Sequence, residues 1–124
     1  MKKLVLATAT TLMIGSVASA TTLETVNSDI GPVMASAKSG LTLYTFRNDA
    51  QNTSNCYGDC ANAWPPFAAK ANAKGSDGMS VIKRKDGSHQ WALNGKPLYF
   101  WAGDAERGDA TGDGVGGVWD AVRK

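Results

Sequence analysis

A chain of 124 residues with 13 basic and 11 acidic side chains has room for one small domain and carries little net charge. Two of the basic groups, Lys2 and Lys3, open an N-terminal leader; without them 11 basic face 11 acidic side chains, a balance that gives no reason to expect nucleic acid or an anionic membrane as partner. One histidine and two cysteines are thin material for a nucleophile–base arrangement, so a non-enzymatic protein is expected.

The leader continues as an apolar run from Leu4 to Val17 and ends in Ala18-Ser19-Ala20. That is the layout of a secretory signal peptide over residues 1–20, and its apolar part is too short to anchor in a bilayer. Cleavage after Ala20 leaves residues 21–124 as a soluble periplasmic or extracellular chain without a membrane span. Thr21 stands where a lipid-bearing cysteine would have to be.

Residues 21–31 read as a loose lead-in. Pro32 to Ala37, the turn Lys38-Ser39-Gly40 and the strand-forming run Leu41 to Phe46 then predict a hairpin. Alternation puts Tyr44 and Phe46 on one face of that strand, with Leu43 and Thr45 on the other. Asn48 to Asn55 is polar loop. Ser54 or Asn55 can cap a short helix from Cys56 to about Ala63, which Pro65-Pro66 stops. Residues 68–78 resemble a surface connection.

Three strands follow as a meander: Val81 to Lys85, Ser88 to Leu93 and Pro97 to Trp101. Asp86-Gly87 and Asn94-Gly95 join them, each predicting a type I′ turn with positive φ at both middle positions. Lys83-Arg84-Lys85 reads as a solvated strand edge, its side chains alternating between faces. Gly103 to Gly117 is a loop rich in Gly and Asp, and Val118 to Val122 closes the chain as a strand. The predicted fold is mainly β (β-rich α+β): antiparallel hairpins and a meander with one short helix near 56–63.

The chain also repeats itself. Gly40, Leu43, Tyr44, Phe46, Asp49, Ala50 and Trp64 recur 55 positions later as Gly95, Leu98, Tyr99, Trp101, Asp104, Ala105 and Trp119. Tyrosine to aspartate is five positions in both copies, and aspartate to tryptophan fifteen. Matched spacing across unlike stretches predicts a duplicated unit, with repeat one at about 32–67 and repeat two at about 82–122.

Each candidate site has a functional and a structural reading. Tyr44, Asp49, Tyr99 and Asp104 make either two copies of a binding site or two copies of a core ring with a loop-capping carboxylate. What recurs in both copies is what each copy needs to fold. Function is better sought in what one copy has alone. The first copy alone has Cys56 and Cys60, expected to form a disulfide in an oxidising compartment. The second alone has an acidic loop with Asp104, Asp109 and Asp113. That loop lacks the alternating acids and terminal Glu of an EF-hand, so no metal and no cofactor is expected.

In order along the chain stand Gly-Leu-Thr-Leu-Tyr-Thr-Phe-Arg-Asn-Asp (40–49), Cys56-x-x-x-Cys60-Ala-x-x-Trp64-Pro65-Pro66, Arg84-x-Asp86-Gly87-x-x-Gln90, Asn94-Gly95-x-Pro97-Leu98-Tyr99, Gly103-Asp104 and Gly114-Val-Gly-Gly-Val-Trp119. The pattern resembles the bacterial secreted-repeat family, also described as predicted lipoproteins with a Y-x-(F/W/Y)-x-x-D motif. The resemblance implies an exported envelope protein of duplicated architecture and assigns no activity. Together these readings predict a binding or interaction module for an unknown protein or small ligand of the cell envelope. Contacts would come from the loops 47–60 and 103–117, with speculative binding residues Tyr44, Asp49, Tyr99, Asp104 and Asp109. The alternative is a metal-binding or redox-active periplasmic protein using Cys56, Cys60 and the acidic loop.

Overall fold

Chain order begins with a strand where the sequence reads as loose. In the computed structural model, which describes residues 22–124, Leu23–Ser28 (β1) pairs antiparallel with Gly31–Ser36 (β2), Val26 opposite Val33. The predicted signal peptide lies outside the described residues. In β1 only Val26 turns fully inward, so the segment carries no apolar alternation of its own and is a strand by virtue of its ladder with β2.

The turn at Lys38-Ser39-Gly40 forms, with Gly40 N donating to Ser36 O, and Ala35 meets Thr42 across it. Beyond that bridge the predicted hairpin ends. Tyr44–Phe46 (β3) instead pairs with the last strand, Trp119–Ala121 (β7), in the register Tyr44 to Ala121 and Phe46 to Trp119.

The helix is shorter than expected: Asp59–Ala63 (α1), with Gly58 at its N-cap at φ 60° and no side chain capping it. Neither Ser54 nor Asn55 serves as cap, because both are engaged elsewhere: Asn55 Nδ2 donates to Asn48 O, and Ser54 Oγ lies in a buried cluster. Pro65 follows the final helical turn, as its ring requires.

The meander is Met79–Lys83 (β4), His89–Leu93 (β5) and Lys96–Pro97 (β6), in sheet order β4-β5-β6. Asn94 at φ 52° and Gly95 at φ 83° make the type I′ turn. The Asp86-Gly87 connection differs from expectation. Only Gly87 has positive φ, and the bonds Gly87 N to Arg84 O and Arg84 N to Ser88 O define a three-residue loop closed by a left-handed glycine. Within this loop the Asp86 carboxylate accepts from Ser88 N and Oγ.

The duplication is visible as paired hydrogen bonds. Tyr44 and Tyr99 exchange both backbone bonds, N to O at 2.8 and 2.9 Å, and so sit on an approximate two-fold axis. Around them Val122 N to Leu43 O matches Phe67 N to Leu98 O, and Met34 N to Val122 O matches Trp91 N to Phe67 O. The segment after each tryptophan therefore completes the other copy. Two apolar clusters fill the interior, one around Tyr44, Tyr99, Trp64 and Trp119, the other around Leu43, Leu98, Met79 and Trp91.

Candidate functional site

Both repeat tyrosines are fully buried, and each reaches the aspartate of the other copy. Tyr44 hydroxyl donates to Asp104 Oδ2 at 2.6 Å and accepts from Gly112 N at 3.1 Å. Asp104 Oδ1 accepts from Thr111 N and Thr111 Oγ1. Across the axis, Tyr99 hydroxyl donates to Asp49 Oδ2 at 2.7 Å, and Asp49 Oδ1 accepts from Asn55 N at 2.7 Å. With the Tyr99 hydroxyl proton directed at Asp49, Ser54 Oγ is the donor in its 2.6 Å bond to Tyr99.

Burial, reinforced by the neighbouring carboxylate, pushes both phenols far above the ordinary tyrosine range. Burial also raises Asp49, against the opposing pull of Asn55 N, Tyr99 and the Arg84 charge. Asp109 turns onto its own loop, accepting from Ala105 N and Glu106 N. Asp113 accepts from Ala121 N and pairs with Arg123. The three aspartates of the acidic loop thus have separate protein partners. Among the described residues no three His, Cys, Asp or Glu side chains gather into a metal-holding group.

Cys56 and Cys60 form a disulfide with Cα atoms 5.3 Å apart. Cys56 precedes the helix and is fully buried, while Cys60 is partly exposed in its first turn. Beside them lies the residue the sequence reading missed. Arg84, placed on a solvated edge by its basic neighbours, is buried with 2 % of its side chain exposed. The alternation is as expected, with Lys83 and Lys85 outward, but the inward member of the triplet is a cation.

Arg84 Nη1 donates to Ser54 Oγ and Gln90 Oε1, Nη2 donates to Cys56 O, and its guanidinium lies 4.4 Å from the centre of the Tyr57 ring. Among the described residues its Nε has no hydrogen-bond partner, and the nearest carboxylate, exposed Asp86, is 3.9 Å away. Ser54, Arg84 and Gln90 thereby extend the Tyr99–Asp49 pair toward the disulfide. The Tyr44–Asp104 side has no such extension.

Four rings stack in one column. Phe46 lies on Trp119 (4.2 Å, 11°), Trp119 on Trp64 (3.8 Å, 4°) and Trp64 on Trp101 (4.2 Å, 32°). Phe46 and Trp101 are repeat equivalents, as are Trp119 and Trp64, so the two-fold axis passes through the middle of the column. Its ends differ. At the Trp101 end Gly103 and Gly112 pack close against the rings; a Cβ on Gly112 would lie 2.8 Å from Trp64 Cη2 and 2.9 Å from Trp101 Cγ. At the other end stands exposed Asn48 where the second copy has Gly103, and Phe46 is among the residues lining a groove of about 320 Å³. Arg47, bonded through two nitrogens to Asp120, lines this groove with Gln51 and Lys96.

A second hollow of about 510 Å³, lined by Leu23, Met34, Met79 and Val122, lies between the two hairpins. No helix among the described residues is long and apolar enough to cross a membrane.

Comparison with known proteins agrees with the internal symmetry. Neither curated proteins nor solved structures offer a match. A family model does match, twice, over residues 24–68 and 80–123, so that each match takes in one hairpin, one repeat tyrosine and one repeat tryptophan. The chain belongs to the family described as a secreted repeat of unknown function.

Proposed function

We propose that this protein is a non-enzymatic binding module of the cell envelope, exported to the periplasm, that holds a small ligand or a partner's side chain in the groove at Phe46. One observation carries the reading: Phe46, at one end of a symmetric column of rings, lines a groove, while Gly103 and Gly112 pack against its equivalent Trp101, so the two copies differ at the ends of an otherwise shared core. Phe46 and Pro97 line the groove together with Arg47, Asp120, Lys96 and Gln51, which combines apolar area with polar groups that orient a ligand.

On this reading Tyr44, Asp49, Tyr99, Asp104 and Asp109 hold the two copies and their loops together, because their oxygens are bonded to protein groups. The absence of enzymatic chemistry is supported by the same facts. Burial keeps the phenols protonated, and both cysteines are in the disulfide. Capture from periplasmic extract by wild type, compared with Phe46→Ala and Lys96→Glu, tests the placement. The expected result is a bound species lost with either substitution while near-ultraviolet circular dichroism stays native. Undiminished capture by both folded variants would put the binding surface elsewhere.

A further inference from the structure

The bonds that mate the two copies run crosswise. Tyr44 of the first donates to Asp104 of the second, and Tyr99 of the second donates to Asp49 of the first. Each copy's final segment is hydrogen-bonded into the other: Val122 to Met34 and Leu43, Phe67 to Trp91 and Leu98. The covalent route between them is residues 70–78, which join no named strand and of which eight are exposed and one, Ala73, half-buried. None of the mating contacts requires both copies to belong to one molecule.

We propose that a second molecule of this chain is a partner, taken up by exchange of copies. Residues 70–78 open as a hinge, the first copy of one molecule mates with the second copy of another, and the reverse pairing completes a reciprocal dimer. Fully extended, nine residues span about 30 Å, enough to carry a copy away from its own mate. The dimer repeats the contact set of two monomers, as exchange of an identical element requires. Mating within one chain profits from an effective concentration on the order of millimolar. Monomer therefore prevails in dilute solution, and dimer accumulates as the protein concentration approaches that value.

Thr45 and Asp120 oppose each other across β3 and β7, one on each copy, and report the exchange. A full-length chain carrying both Thr45→Cys and Asp120→Cys closes within itself and runs as a monomer, which checks the geometry. Full-length Thr45→Cys is then mixed with full-length Asp120→Cys, unfolded and refolded together at about millimolar concentration, and oxidised without reductant so that Cys56–Cys60 stays closed. Exchange yields the mixed cross-link at least tenfold over either like-with-like cross-link. Chance collision yields mixed and like products in a statistical 2:1:1 ratio, and that ratio overturns the proposal. Native mass spectrometry of labelled and unlabelled wild type, co-refolded in the same way, needs no substitution. A mixed dimer is expected, and monomer alone at that concentration overturns the proposal equally.

Discussion

The indoles of Trp64 and Trp119 lie face to face at 3.8 Å with their planes 4° apart, each repeating the other's place in its own copy. Each also meets a repeat tyrosine edge-on, Trp64 with Tyr44 at 5.3 Å and Trp119 with Tyr99 at 5.1 Å. The centre of the molecule is thus one symmetric set of four rings contributed equally by both copies.

Replacing either tryptophan by alanine removes a ring from that set and leaves a cavity that neither copy can fill alone. The expected loss is about 3–5 kcal/mol, a large part of the stability of an ordinary domain. Denaturant titration followed by tryptophan fluorescence measures it. Equal losses for Trp64→Ala and Trp119→Ala are expected from their equivalence, and a difference well beyond 1 kcal/mol would mean that the two halves of the column are not energetically alike.

Alkaline titration reads the buried hydroxyls. Tyr44 and Tyr99 have folded pKa values raised far above about 10, the unfolded value, so above that pH the unfolded chain releases protons that the folded chain retains. Their contribution is whole below pH about 10 and declines as pH rises beyond it. Absorbance near 295 nm should show these two phenols ionising together with loss of circular dichroism. Ionisation well before unfolding would contradict the buried pairing.

Tyr44→Phe and Tyr99→Phe keep the rings and delete the hydroxyls. Each leaves a buried or half-buried aspartate oxygen without its donor, at a cost of about 1–3 kcal/mol. Asp49 adds a pH signature. Its folded pKa is raised, so its effect on stability becomes less favourable as pH rises from the unfolded carboxylate value through the folded one. Asp49→Asn should flatten the acid side of the stability profile, and an unchanged profile would mean that Asp49 does not titrate abnormally.

Arg84→Ala removes three hydrogen bonds from a site that water does not reach. A loss on the order of 3 kcal/mol is expected by thermal or chemical denaturation. Arg84→Met should lose less, because it keeps much of the volume and removes a buried charge whose Nε lacks a partner. Equal losses would assign the effect to the lost hydrogen bonds and not to packing.

Reduction of Cys56–Cys60 opens a very short ring, so the stability lost should sit near the low end of the range for disulfides, about 2 kcal/mol. Denaturation midpoints with and without reductant give the value. A metal bound stoichiometrically by the reduced protein, detected by elemental analysis, would instead favour the redox or metal reading.

The duplication, the tyrosine strand, the Asn94-Gly95 turn and the disulfide were legible because each is written in local spacing. Which aspartate each tyrosine meets was not. Five positions separate Tyr44 from Asp49, but the hydroxyl reaches Asp104, sixty positions away, and a repeat unit is the same string whether it folds back on itself or onto its twin. β1 was missed because one inward valine gives no period to read. Arg84 was misplaced because its burial depends on acceptors from Ser54, Cys56 and Gln90, brought together only when the chain has closed. The groove lined by Phe46 was not legible either, because its lining comes from Thr45 to Gln51, Gly95 to Pro97 and Asp120, segments that meet only in the folded chain.

The strand that completes the first repeat, Trp119–Ala121, comes from the far side of the second repeat and leaves the ribosome long after Tyr44–Phe46. Until those residues emerge, Tyr44 has no β7 beside it and its hydroxyl no settled carboxylate. The first repeat of this design therefore stays unfinished until the second has been synthesised, and the twins reach their final shape together.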